Sequence, residues 1–499
     1  MLPLRRLIAL LFFSALTLLG FALPVTGPQT ITLDEAIQRA LAKNFAIKVE
    51  GFDAAIASAR VTESLGKFDP VLSGSYNHAE NRNPLLTFDS TTGLRNTTRD
   101  ETDTYDLGVG GLLPWGMTYR LGGSTTNARG TFNAYADNFD SFAGVSGTQP
   151  LLRDFGFGPT LASIRIARAN RGISDWQFRQ TVMDTVTRVI YAYHDLNFAH
   201  AFVRSATRSR DLAAGLLAEN EKRFKVGSMS EYDVTSARSR VASRQENVLT
   251  AERQMLDAEN AFKQLITDDH TTGLLAQHLA IEPPATAPII TVDPAADFRI
   301  ALEKRPDYQQ AKLALQRSGV NSRLQSNQLL PRVDLVGSYG HNGYAADRAA
   351  SRRQVQDQDY RSYSWGVVVS VPLTFTTERG RYRAAKLQQR QSETQLQQIE
   401  QAIVVYVGNA AGQIETAQKR IQSNRQAREL AEATLDAEVK RLRVGQSSTF
   451  FVAQQQEILS FAEVREAAAQ SDYAKALAEY DRQLGVTLEK LHIDVEPPK

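Results

Sequence analysis

Two rhythms of hydrophobic and polar residues divide this chain. The first has a period of two. Over 362–371, Tyr363, Trp365, Val367, Val369 and Val371 share one face, and Ser362, Ser364, Gly366 and Ser370 share the other. Over 104–113, Tyr105, Leu107, Val109 and Leu113 oppose Thr104, Asp106, Gly108 and Gly110, and over 117–125, Met117, Tyr119 and Leu121 oppose Thr118, Arg120, Gly122 and Ser124. Period two is the signature of a strand. Large apolar residues on one face with Ser, Gly, Asp or Arg on the other predict a barrel wall between lipid and a wet lumen. Spans of about 9–11 residues suit a tilted crossing. An edge strand of a soluble sandwich alternates too, so the pattern needs support from the rest of the chain.

The second rhythm repeats every three to four residues. Val182, Val186, Val189, Tyr193 and Leu196 form one run; Ile399, Ile403, Tyr406, Ala410, Ile414, Ala417 and Ile421 form another. This coiled-coil-like spacing predicts long helices over 159–226 and 378–444, each on the order of 100 Å long. Shorter helices are predicted over 33–65, 229–266, 294–326 and 448–484. Two short helices laid end to end match one long helix, which predicts a staff-like body. Its apolar stripes are narrow, so neighbouring protomers are expected to cover the remaining helix faces.

The chain also repeats itself. RFKVGSMSEYDV at 223–234 returns about 218 residues later as RLRVGQSSTFFV at 441–452. Each copy breaks a helical pattern at Val-Gly, Val226-Gly227 and Val444-Gly445. Proline-led strands at Pro70 and Pro331 recur in the same order, as do Gly108 to Pro114 and Gly366 to Pro372, and the closing segments Ile281 to Pro284 and Val495 to Pro498. So long a period marks a duplicated half-molecule, not a solenoid. The first repeat is placed at 30–284, with barrel strands in 70–150 and a helical hairpin over 159–266. The second is placed at 285–499, with strands in 332–371 and a hairpin over 378–484. The second half supplies two strands and the first up to four, 115–138 being either further barrel strands or an external loop. A small closed barrel needs about eight, and a lipid-exposed sheet cannot leave its edges unpaired. Several chains must then share one barrel by cyclic symmetry.

Composition narrows the function. Arg5-Arg6, an apolar run from Leu7 to Leu19 and Gly20-Phe21-Ala22 predict an export signal over 1–22, with a membrane anchor as the other reading. No other stretch is apolar and long enough for a membrane helix. There are no cysteines, so neither disulfides nor a lipidated cysteine are expected. A net charge of +2 gives no footprint for nucleic acid. The 7 histidines do not cluster at ligand spacing, so no metal and no cofactor are expected. No phosphate loop or nucleophile motif suggests an enzyme.

The order of these motifs resembles the TolC-like outer membrane efflux proteins over essentially the whole mature chain. It runs from the helix opening LDEAIQRALAKN at 33–44, through the Pro-led strand and Gln149-Pro150 to Gly156 entering a long helix, to the Val-Gly turn with Asp233-Val234 and a duplicated second half. The resemblance implies an α+β membrane protein. It would be a homotrimer sharing one β-barrel in outer membrane lipid, with a long antiparallel helical tunnel in the periplasm. It implies a channel for a tripartite efflux or type I secretion system, with a periplasmic adaptor and an inner-membrane pump as partners. The other reading is a periplasmic coiled-coil adaptor or scaffold, which leaves the alternating strands unexplained. By resemblance, Val226, Gly227, Val444 and Gly445 are adaptor-docking tips and Asp233 falls on an acidic gate position. The tyrosine and arginine of the best-known gate are replaced by Leu442 and Ser447, and entrance aspartates by Phe451 and Gln454. A gate held more by packing, with Phe450 and Phe451 as candidates, than by ion pairs is expected.

Overall fold

The protein is described by a computed structural model over residues 30–88, 95–276, 278–284 and 287–496. The expected export signal at 1–22 and the final Pro497-Pro498 lie outside the described residues. The first half contains β1 (Thr30–Ile31), α1 (Leu33–Lys43), α2 (Phe45–Leu65), β2 (Val71–Phe88), β3 (Arg95–Leu112), β4 (Thr118–Gly130), β5 (Phe139–Pro150), α3 (Phe157–Thr160), α4 (Ala162–Lys225), α5 (Glu231–Ile266), α6 (Gly273–Ala276) and β6 (Ala280–Ile281). The second contains α7 (Pro294–Lys304), α8 (Pro306–Asn327), β7 (Arg332–Ala345), α9 (Arg348–Gln356), β8 (Tyr360–Ser370), α10 (Thr376–Arg443), α11 (Thr449–Leu484) and α12 (Thr487–Lys490).

The long helices α4 and α10 run for 64 and 68 residues. α2 and α5 both pack along α4, and α8 and α11 do the same beside α10 or between the two long helices. The stretches 33–65 and 294–326 are not single helices as their patterns predict. Each is broken once, at Asn44 and at Arg305. Asn44 turns extended (ψ 128°), its Oδ1 accepting from the Ala46 N–H at 2.9 Å and its Nδ2 donating to the Leu265 carbonyl at 2.9 Å. Arg305 precedes Pro306, which pushes it out of the helical region, to ψ 125°. Its buried guanidinium donates to the Gln483 carbonyl at 3.1 Å and to Gln483 Oε1 at 2.5 Å. Both breaks are therefore joints where the next helix in line ends. Gly485, at φ 74°, lets the chain leave α11 there; a Cβ on it would lie 2.8 Å from the Lys304 carbonyl carbon.

The apolar cores sit at the level of these joints. Val186, Tyr193, Leu196 and Phe262 centre one, and Ile403, Val407, Ile414 and Tyr480 the other. The expected α10 stripe shifts by one residue. Val407 takes the core position, while Tyr406 is exposed with the Arg305 guanidinium 5.8 Å from its ring centroid. A period of 3.6 carries the stripe from 403 to 407 and on to 410 and 414. Tyr193 binds the two-stranded collar β1–β6, donating to the Ile31 carbonyl at 3.2 Å and the Glu282 carbonyl at 2.5 Å. Burial pushes its phenol up to about 12.

The remaining strands form one antiparallel sheet in the order β2-β3-β4-β5-β7-β8. The segment 115–138, left open by the sequence, supplies β4. Its hairpin turns at Gly116 (φ 97°), where a Cβ would sit 2.5 Å from the Asp154 carbonyl oxygen. β2 and β3 run to 18 residues each, well past the 9–11 expected. The extra length is held by a charged ladder: Arg129 pairs with Glu101 at 2.8 Å, and Arg99 with Glu101 at 2.5 Å and with Glu80 at 2.9 Å. Alternation earned by apolar residues marks only the half of each strand that lies near the helices.

Candidate functional site

At the far end of the helices, the two Val-Gly turns fold identically. The Gly227 N–H donates to the Phe224 carbonyl at 2.9 Å and the Ser228 N–H to the Arg223 carbonyl at 2.9 Å. The Gly445 N–H donates to the Leu442 carbonyl at 3.1 Å and the Gln446 N–H to the Arg441 carbonyl at 2.9 Å. This is a Schellman helix end, which needs a left-handed residue after the cap. Gly227 and Gly445 supply it at φ 75° and 77°. A Cβ on either would meet nothing within 4 Å, so backbone conformation and not space selects glycine. Val226 and Val444 are 78% and 69% exposed, apolar knobs with no packing role inside the protomer. Lys222, Arg223 and Lys225 on one turn, and Lys440, Arg441 and Arg443 on the other, make both ends basic. These cations favour the carbonyl ends of the helix dipoles.

Beyond each turn the copies diverge. Asp233 closes a capping box on α5: Ser230 Oγ accepts from its N–H at 3.2 Å, and Asp233 Oδ2 accepts from the Ser230 N–H at 3.3 Å. Its carboxylate is thus engaged within its own turn. The matching Phe451 is half exposed and meets Phe450 edge to face at 5.6 Å. Val234 and Val452, which end the two repeat copies, are both buried.

The hairpins are joined near these tips through α5 and α11. Arg244 pairs with Glu457 at 3.0 Å, and the Arg240 guanidinium lies 5.6 Å from the Phe450 ring centroid. Packing is therefore not alone in holding this seam; an ion pair stands one turn from the stacked arginine. These residues line a cleft of about 350 Å³ with Asn220, whose buried Oδ1 has no hydrogen-bond partner among the described residues. Arg240, Arg244 and Glu457 were not singled out from the sequence. The signal was the i, i+4 spacing of two arginines on a helix expected to pack lengthwise. Higher up, α4 meets α11 through Arg208 and Glu463 at 3.0 Å and Arg482 and Asp184 at 3.3 Å.

The opposite end carries the sheet. Register places Leu72, Tyr76, Tyr105, Leu107, Val109, Leu121, Val145, Leu335, Tyr339, Tyr363, Trp365 and Val367 on one face. On four strands a tyrosine on that face is followed, in the direction away from the helices, by an ionisable group. The pairs are Tyr76 then His78, Tyr105 then Asp103, Tyr339 then His341, and Tyr363 then Arg361. Tyr76 lies opposite Tyr105 and Tyr339 opposite Tyr363. Aromatic residues at such a boundary form a membrane-interface girdle. The other face is mostly small and polar, with Arg120 paired to Asp106 and donating to Ser73 Oγ at 3.0 Å. No described helix is long and apolar enough to cross a membrane.

Comparison with known proteins agrees with this geometry. The outer membrane efflux protein family matches residues 36–267 and 298–486. The outer membrane efflux protein BepC of Brucella suis biovar 1 is 23% identical over 305 residues, 60% of this chain. That match spans 63% of BepC's own length. Among solved structures, the Campylobacter jejuni CmeC outer membrane channel superposes with a TM-score of 0.69 at 14% identity, covering 91% of this chain and 86% of that one. The outer membrane protein VceC of Vibrio cholerae gives 0.66 at 15%, covering 91% and 96%. The Neisseria gonorrhoeae MtrE outer membrane channel, in its open state, gives 0.64 at 17%, covering 91% and 89%. At such identities the superpositions speak for the fold, a helical part joined to a β domain, while the family match covers both halves of the chain. The chain belongs to the outer membrane efflux protein family and is a protein of the outer membrane.

Proposed function

We propose that this protein is the outer membrane channel of a tripartite efflux or type I secretion system, acting as a homotrimer. The observation that carries this is the open sheet. Its edge strands β2 and β8 pair with nothing further among the described residues, although the face they share is apolar and exposed. Lipid tolerates no such edge. Six strands from each of three protomers give a barrel of about eighteen, a size that leaves an aqueous lumen. The helices continue that lumen as a tunnel on the order of 100 Å long. The Val-Gly tips, with Val226 and Val444 exposed and a basic rim behind them, are the docking surface for a periplasmic adaptor, through which an inner-membrane pump delivers cargo. The seam at Arg240, Arg244, Phe450 and Glu457 is the gate, because opening the tunnel must part neighbouring hairpins there. Phe451 lies on the same turn and closes the entrance by packing. Asp233 contributes to the gate by fixing the first turn of α5.

The absence of native cysteines makes a direct test clean. Cysteines are introduced in pairs along Leu72 to Tyr76 on β2 and Tyr363 to Val369 on β8. Oxidation in intact outer membranes should cross-link protomers into a ladder ending at the trimer. If no pair in the panel links two chains, the shared barrel is excluded.

A further inference from the structure

The helix α9 lies on the membrane-facing side of the sheet, at the level of the tyrosine girdle. Ser351 Oγ donates to the Gly343 carbonyl at 2.8 Å, and Gln354 Oε1 accepts from the Tyr344 N–H at 2.7 Å. Gly343 stands in the same cross-strand row as Ser141, Thr125 and Tyr105. From that row the helix reaches back to the girdle itself: the Arg348 guanidinium lies 4.3 Å from the Tyr105 ring centroid. Only glycine admits this contact, since a Cβ on Gly343 would fall 1.9 Å from the Ser351 carbonyl oxygen. Ser351 is fully buried, and Thr125 and Ser141 are buried on the same sheet face. A polar helix has thus been laid over the polar end of a lipid-facing surface.

Its outer side carries charge without counter-charge. Arg352 and Arg353 are exposed and form no ion pair among the described residues. The acids of the segment sit elsewhere: Asp347 accepts from the Ala350 N–H at 2.9 Å as the N-cap, Asp357 is the C-cap, and Asp359 lies beyond it. On β8, exposed Arg361 lies 5.7 Å from the Tyr363 ring centroid, again at the girdle. Tyrosines mark the depth where hydrocarbon gives way to headgroups. Arginine binds phosphate in bidentate fashion and is weakly hydrated for a cation. Resting on the lipid-facing reading of this sheet face, we infer that Arg352 and Arg353, supported by Arg348 and Arg361, form a binding site for the phosphate of an anionic membrane lipid in the outer leaflet.

Native mass spectrometry of the detergent-purified full-length protein tests this with three probes: phosphatidylglycerol, phosphatidylcholine and inorganic phosphate. The wild type should retain phosphatidylglycerol in preference to phosphatidylcholine, and the R352Q/R353Q double variant should lose about tenfold of that retention. Equal retention by wild type and variant, or equal retention of the two lipids, overturns the site. Inorganic phosphate binding as tightly as phosphatidylglycerol assigns the arginines to free anions and overturns the lipid. A photoactivatable phosphatidylglycerol added to the wild type needs no variant to fold, and should mark residues 346–361; adducts confined to other segments overturn the proposal. A lipid-soluble apolar label tests the sheet face separately. Labelled strands without a phosphate-lipid preference defeat the site alone, whereas unlabelled strands defeat the membrane reading beneath it.

Discussion

Arg244 on α5 and Glu457 on α11 form an ion pair of 3.0 Å that ties the first helical hairpin to the second close to their tips. The Arg244 side chain is 21% exposed and Glu457 45% exposed, so the pair is partly screened by water. A pair of this kind contributes up to about 1 kcal/mol. In a channel whose closed state uses the pair and whose open state does not, losing it raises the open fraction by up to about fivefold. Arg244→Gln and Glu457→Gln should each increase conductance across planar bilayers. The double variant should add little to either, since both break the same contact. Strictly additive effects would show that the two side chains act apart.

Gly227 and Gly445 respond to conformation and not to crowding, because each sits at positive φ in open space. Valine there costs roughly 1–2 kcal/mol per turn, while asparagine, which tolerates the left-handed region, costs less. The G227V/G445V protein should still reach the outer membrane as trimers, since its strands and joints are untouched, but should fail to restore export to a strain lacking the channel. G227N/G445N should restore most of it. Equal export by both double variants would separate the turns from docking.

The hairpins and the alternating strands were legible in sequence because each depends on a local period. Val182 to Leu196 lands in the core as spaced, and Tyr363 to Val369 lands on one exposed face. What sequence missed depends on contacts between distant segments. Asn44 reads as a helix interior until the Leu265 carbonyl arrives to accept its amide. Arg305 could have been read from Pro306 behind it, which disfavours a helical residue before it. The upper halves of β2 and β3 carry Glu80, Arg82, Arg99 and Glu101 with no apolar alternation to mark them as strand, so their pairing shows only in the register. The tip seam was hidden for the same reason. Arg240 and Glu457 lie on different repeats, and no local pattern says that α5 and α11 touch.

Gly343 can be tested for its part in seating α9. Gly343→Val places a side chain where the Ser351 carbonyl stands, 1.9 Å from the Cβ. The helix must lift, while β7 keeps its ladder to β5 and β8. Trypsin should then cut after Arg352 and Arg353 about tenfold faster in the folded protein, a local opening read out by proteolysis. Gly337→Val, in the same strand, is the control: its nearest neighbour to a Cβ, the Ser364 carbonyl oxygen, is 3.6 Å away. Similar rates for both variants would show that α9 is not held by this contact.

His194 sets an acid limit on the helical body. It is 8% exposed at the level of the joints, its carbonyl accepting from Ser471 Oγ at 3.2 Å. Burial, reinforced by the nearby Lys475 ammonium and opposed by Asp195, pushes its imidazole down to about 4. In the unfolded chain it titrates near 6.5. Between these values the unfolded chain holds more protons than the folded one, so stability rises with pH across this window. The neutral ring's contribution is complete above about 6.5. It is lost progressively as pH falls towards 4, by up to about 3 kcal/mol per protomer. Thermal unfolding of the purified protein, followed from pH 7.5 to 4, should show this loss. His194→Gln keeps a buried polar side chain of similar reach but does not titrate, and should flatten the slope between pH 6.5 and 4 even if it lowers Tm throughout. An unchanged slope in H194Q would assign the acid sensitivity to other groups.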